Sequence, residues 1–188
     1  MISTRLRLGA AAGALALALS GCAASAESSE QSTSGAGTVE VEDNNGTQTV
    51  TTPPTSVVAT DNRTFETLDS WGVKLSGAAV SLMPEGLSYT TDETIKNLGN
   101  HREPDLEQVA AAKPDLIVNG QRFAQYHDDL QKLAPEAVVL ELDPRDDQPF
   151  DEELRRQTTT LGEVFGKQDE AAKLVEDFDA SIERAKAA

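Results

Sequence analysis

The chain has 188 residues, with 32 acidic against 16 basic side chains and a formal charge of −16 at pH 7. A surface that acidic repels nucleic acid and anionic lipid headgroups, and it disfavours an anionic ligand except where basic groups are gathered at one place. With one cysteine and two histidines, the chain can form no intramolecular disulfide and is thinly equipped for a dedicated zinc or manganese site.

Arg5 and Arg7 form a positive start, and Leu8 to Leu19 is apolar. At roughly 12 residues this run fits the core of an export signal and falls short of the ~20 that span a bilayer. It closes on Leu19-Ser20-Gly21-Cys22, although Ala23-Ala24-Ser25-Ala26 offers a plain secretory cleavage site a few residues later. Leu-Ser-Gly-Cys resembles the lipobox of bacterial lipoproteins. That likeness implies a signal peptide over residues 1–21 and a diacylated Cys22, whose two or more acyl chains hold a protein stably at a membrane.

Residues 22–38 are small and polar and read as a flexible tether. From Val39 the pattern alternates, with Val39-Glu40-Val41-Glu42, an Asn45-Gly46 turn and Thr47-Gln48-Thr49-Val50. The spacing predicts a β-hairpin with Val41 opposite Val50, ended by Pro53-Pro54. Ser56 to Thr60 reads as a short buried strand, and Thr64 to Trp71 as a helix with Phe65, Leu68 and Trp71 on its core face. Val73 to Val80 is a second strand, followed by an irregular stretch around Pro84 and Tyr89.

Pro104 suits the first position of a helix whose stripe is Leu106, Val109 and Ala110 and which Pro114 stops. Asp115 to Asn119 is then a strand, Phe123 to Ala134 a helix, Ala137 to Leu142 a strand, and Glu152 to Leu161 a helix. Gln168 to Ala188 sets Ala171, Leu174, Val175, Phe178, Ile182 and Ala185 on one stripe of a last long helix. The alternation of strand and helix predicts an α/β fold, a parallel sheet with flanking helices, over residues 39–188.

Ligands of such sheets bind outside the carboxyl ends of the strands. Four of the seven arginines beyond the signal fall in strand-to-helix connections: Arg63, Arg102, Arg122 and Arg145. Acids stand close to three of them: Asp61 to Arg63, Glu103 and Asp105 to Arg102, and Asp143, Asp146 and Asp147 to Arg145. Arg122 has no acid between Asp115 and Asp128 and is the arginine with its charge freest for a ligand. A guanidinium fork suits planar anionic oxygens. Tyr126 and His127 come one turn later and line the same mouth or sit half-buried on a helix. Catalytic arrangements are absent: there is no GxSxG, no phosphate loop and no HExxH. His101, helped by Glu103 or Asp105, is a weak metal site, and Asp128-Asp129 and Asp146-Asp147 read as solvated surface.

The polar tether, the hairpin, TPPTSVVAT, TFETLDSWGV, GNHREPDLEQVAAAKPDLIVNGQR and the long last helix together resemble the iron-siderophore binding lipoproteins of bacterial ABC importers, and most of all their catecholate, enterochelin-type members. The resemblance implies two α/β lobes joined by a long helix, of which this chain holds the amino-terminal lobe and, at 168–188, the start of the joining helix. It implies a monomeric, non-enzymatic protein without a resident cofactor or metal, which is lipid-anchored on the extracytoplasmic face and hands a ferric siderophore to an ABC permease. Carried over, the ligand residues are Arg122 and Arg102, with Gly120 and Gln121 beside them and Arg63 and Arg145 further along the edge. The family more often has Gly-Arg-Gln where this chain has Gly120-Gln121-Arg122. Haem or cobalamin, which the same superfamily binds, is the alternative ligand, and a remnant without binding function the alternative role.

Overall fold

The computed structural model describes residues 37–188. The expected signal, Cys22 and nearly all of the tether lie outside them. The elements in chain order are β1 Gly37–Asp43, β2 Gly46–Thr52, β3 Val57–Ala59, α1 Phe65–Ser70, β4 Leu75–Ala78, β5 Lys96–Asn97, β6 Gly99–Asn100, β7 Glu103–Pro104, α2 Glu107–Ala112, β8 Leu116–Asn119, α3 His127–Leu133, β9 Val138–Glu141, α4 Phe150–Phe165 and α5 Gln168–Lys186.

Five strands form one parallel sheet in the order β5-β4-β3-β8-β9. Strands β3 (VVA) and β8 (LIVN) are buried at every residue, as strands covered on both faces must be. Alternate side chains feed two cores. Val57, Ala59, Leu116 and Val118 point to one face, where Phe65 and Leu68 of α1 and Leu161, Val164 and Phe165 of α4 close over them. Val58, Ile117 and Val139 point to the other, against Val109 of α2 and Leu130 of α3. Trp71 is buried in the first core.

The hairpin β1–β2 forms, but its register differs from the expected one. Val39 and not Val41 faces Val50, and the turn is Asn44-Asn45. The positive φ, 118°, falls on Gly46, the arrangement of a turn followed by a bulge glycine. The cause is Asp43. Its buried carboxylate accepts the N–H of Asn45 (2.7 Å), the Gln48 amide (3.2 Å) and the N–H of Glu141 in β9 (3.0 Å), so it holds the turn one residue nearer the amino terminus than expected and docks it on the sheet edge. Strand β1 also begins at Gly37, two residues inside the expected tether.

Three other expectations need correction. Pro104 does not start a helix; it lies in β7, paired with Gly99 of β6, and α2 begins only at Glu107. The helix expected over Phe123 to Ala134 is split into a 3-10 segment, Gln121–Tyr126, and α3. The tighter segment brings Phe123 to the core and leaves Arg122 outside. The second strand is shorter than expected, because Val80 already opens a 3-10 turn, Val80–Leu82. In α5 Ala171 is buried, Val175, Phe178 and Ile182 are half-buried, and Leu174 is 40% exposed, so its apolar stripe is only partly covered among the described residues.

Candidate functional site

The strands β3, β8 and β9 end side by side, and a buried polar chain ties their carboxyl ends together. Thr60 Oγ1 donates to Asn119 Oδ1 (2.6 Å), and Asn119 Nδ2 donates to Glu141 Oε1 (2.6 Å) and to the Phe123 carbonyl (3.3 Å). His127 Nδ1 lies 3.1 Å from the same Glu141 oxygen. Polar groups buried this way are costly when left unpaired. The chain therefore fixes the floor from which the loop Gly120-Gln121-Arg122 departs.

That loop is held tightly. A Cβ on Gly120 would stand 2.8 Å from Asp61 Oδ2, so only glycine fits where the β8 connection passes the buried Asp61. Gln121 takes φ 56° with a side chain that tolerates it poorly, and both Asp143 carboxylate oxygens accept its N–H (2.9 and 3.0 Å). Arg122 follows, exposed, with Nη1 3.2 Å from His101 Nε2. His101 comes from the turn between β6 and β7. The Tyr126 hydroxyl donates to its carbonyl (2.8 Å), and Asn100 Oδ1 accepts the N–H of Arg102 (2.9 Å).

The arginines of this edge divide into two sets. Arg63 pairs with Asp61 (3.3 Å) and with Asp143. Arg145 pairs with Glu153, eight residues on, and not with the nearer Asp146 and Asp147; its Nε and Nη2 donate at 3.0 and 2.6 Å. Arg156 shares that carboxylate. Glu153 is 2% exposed, and the hydrogen bonds from Arg145, ahead of those from Arg156, lower its pKa to about 2. Arg102 and Arg122 enter no ion pair among the described residues.

Two concavities meet at His101. One, of about 230 Å³, is lined by Thr60, Asn62, His101, Gln121 and Arg122 over Leu82 and Phe123. The other, shallower, holds Asn100, Arg102 and Glu103 beside the same Leu82 and His101. Together they set two unpaired guanidinium groups around one imidazole on a protein of charge −16, which suits an anion with several oxygens. An apolar groove of about 310 Å³ between α1, α4 and α5, lined by Thr67, Leu154, Leu174 and Phe178, suits such a ligand less. Its cations are taken, Arg63 as above and Arg155 by Asp151 and Asp179 (both 2.7 Å).

Reading the residues in order missed His101, Asn119, Glu141 and Glu153 as parts of this edge. Glu141 carried a signal, an acid inside the apolar run AVVLEL. The His101–Arg122 contact joins residues 21 apart, across α2 and β8, and has no local pattern. Among the described residues no group of three or more His, Cys, Asp or Glu is arranged to hold a metal ion.

Residues 57–188 match the family model described as Periplasmic binding protein. The ferric-anguibactin-binding protein FatB of Vibrio anguillarum is 31% identical over 148 residues, which are 78% of this chain and 46% of FatB. The petrobactin-binding protein YclQ of Bacillus subtilis is 30% identical over 142 residues, 74% of this chain and 43% of YclQ. Among solved structures, the catecholate-siderophore binding protein VctP of Vibrio cholerae is similar with a TM-score of 0.68 at 27% identity, over 79% of this chain and 52% of VctP. The chain thus spans about half the length of the relatives it matches. The match runs from β3 through α5, takes in the whole parallel sheet and every arginine of this edge, and shows that the chain belongs to the periplasmic binding protein family.

Proposed function

We propose that this protein captures a ferric siderophore of catecholate type and presents it to an ABC permease for iron uptake, held to the extracytoplasmic face of the membrane by lipid on Cys22. The observation that carries the reading is the pair of unpaired arginines, Arg122 and Arg102, on either side of His101 at the carboxyl edge of the sheet. A ferric tris-catecholate is a compact, multiply charged anion whose oxygens match guanidinium donors in geometry and charge. The names of the relatives support it: FatB is called ferric-anguibactin-binding, YclQ petrobactin-binding and VctP catecholate-siderophore binding.

In this reading Arg122 leads, Arg102 takes the opposite side of the ligand, and Gly120 and Gln121 shape the loop between them. Arg63 and Arg145, whose charges are met by Asp61, Asp143 and Glu153, stiffen the rim. Both concavities are open and Arg102 and Arg122 are exposed, whereas good small-molecule sites bury ~70–90% of a ligand's surface, so in this reading these residues form one wall of the cleft. Calorimetric titration of the full chain with a ferric tris-catecholate siderophore, haem and cobalamin tests the proposal. Binding of the ferric catecholate alone supports it; binding of haem or cobalamin in its place overturns it.

A further inference from the structure

His101 is the residue that the two cationic loops share. Arg122 Nη1 can only donate, so at 3.2 Å the Nε2 of His101 accepts and its proton sits on Nδ1. The backbone that carries the ring is held, because the Tyr126 hydroxyl donates to the His101 carbonyl (2.8 Å) and the Asn100 side chain accepts the N–H of Arg102 (2.9 Å). Two cations and one acid stand around it. The 121–126 segment contributes Arg122 and Tyr126, and the turn itself contributes Arg102 and Glu103. The 80–82 turn, which packs on β6 through Ser81 Oγ and the Gly99 carbonyl (2.7 Å), brings no titratable group.

We infer that His101 positions Arg122 as a neutral acceptor in the empty cleft and takes up a proton when a multiply charged anion enters, turning its Nε2–H to the ligand as a third cationic donor. The inference rests on the reading that the cleft binds an anionic chelate. In the free protein the protonated ring is disfavoured by its loss of water and then by the charges of Arg122 and Arg102, which hold its pKa below the usual value. An anion between the arginines cancels the two charge effects and favours the protonated ring. Linkage sets the sign: affinity rises as pH falls from the bound-state midpoint of His101 to its free-state midpoint, and is flat below both.

Two measurements on the full chain test this. The first needs no ligand: an NMR pH titration of the imidazole nitrogens, with His127→Gln to assign the two rings. The expected result is an Nδ1–H tautomer for His101 and a midpoint below the ordinary imidazole value, which rises in Arg122→Gln as one of the two neighbouring positive charges is removed. A His101 midpoint that Arg122→Gln leaves in place overturns the inference, whatever the protein binds. The second is calorimetry with a ferric tris-catecholate at pH 7 in buffers of different ionisation enthalpy, on the wild type and on His101→Gln, which keeps an acceptor without a titrating ring. Protons released or bound by the chelate itself are common to both proteins and drop out of the difference. Greater proton uptake by the wild type is expected; equal uptake overturns the inference while leaving the siderophore reading intact. Failure of the wild type to bind the chelate overturns the siderophore reading, and with it the uptake step.

Discussion

Replacing Arg122 by alanine removes a guanidinium that makes no ion pair among the described residues and whose one side-chain partner is the neutral His101 ring, 3.2 Å away. Little in the free protein is lost with it, so the loss should fall on ligand binding and not on stability. A hydrogen bond to a charged group contributes ~1.5–3 kcal/mol, and the exposure of Arg122 favours the lower half of that range. The expected weakening for a ferric catecholate siderophore is thus roughly 12- to 40-fold in Kd, with a melting temperature within about a degree of the wild type. Arg145→Ala is the counterpart. It strips two charged hydrogen bonds from the buried Glu153, which keeps those from Arg156 Nε and Nη2 (3.1 and 2.8 Å) and from the N–H of residue 145 (3.0 Å). Its effect should appear as ~1–3 kcal/mol of lost stability with binding changed by less than about threefold. Calorimetry gives the two affinities, and urea unfolding gives the two stabilities. Equal losses of affinity at the two sites, or none at Arg122, refute the division of the edge into paired and unpaired arginines.

Further outcomes follow from the same geometry. Gly120→Ala sets a methyl group 2.8 Å from an Asp61 carboxylate that Gln157 (2.9 Å) and Arg63 hold in place. Urea unfolding should show a loss of ~1–3 kcal/mol, and an unchanged midpoint would mean that the loop yields freely. The Glu153 carboxyl is held at about 2 against an ordinary 4.5. Its contribution to stability should be complete above about pH 4.5 and fall away as pH drops toward 2. Glu153→Gln should flatten that part of the pH–stability curve, and an unaltered slope would contradict the pairing. Mass spectrometry of the amino-terminal peptide should find Cys22 as residue one with a diacylglyceryl group, and Cys22→Ala should release the protein from membranes. An unmodified terminus at a later alanine would exclude the anchor.

The sheet was legible in the sequence wherever burial is two-sided, because VVA, LIVN and VVLE are apolar runs too short to be helices, with prolines or glycine near their ends. Register was not, since the one-residue shift of the hairpin turn comes from Asp43 reaching a backbone N–H at Glu141, 98 positions away. The absence of an acid near Arg122 in the sequence pointed to one of the two arginines that enter no ion pair among the described residues; Arg102 is the other, although Glu103 and Asp105 flank it. The same reasoning picked the wrong partner for Arg145, because Glu153 reaches it from the first turn of α4, beyond the nearer aspartates. His101 looked like a weak metal ligand in one dimension. Only the folding of β6–β7 beside the 121–126 segment brings it against Arg122.

A crystal structure of the full chain with a ferric tris-catecholate siderophore, located by the anomalous signal of its iron, tests the central claim most directly. The iron should lie over the carboxyl edge of the sheet, between the 100–102 and 120–122 loops, with catecholate oxygens within hydrogen-bond reach of Arg122 and Arg102. Iron in the apolar groove between α1, α4 and α5, or at the opposite edge of the sheet, would contradict it.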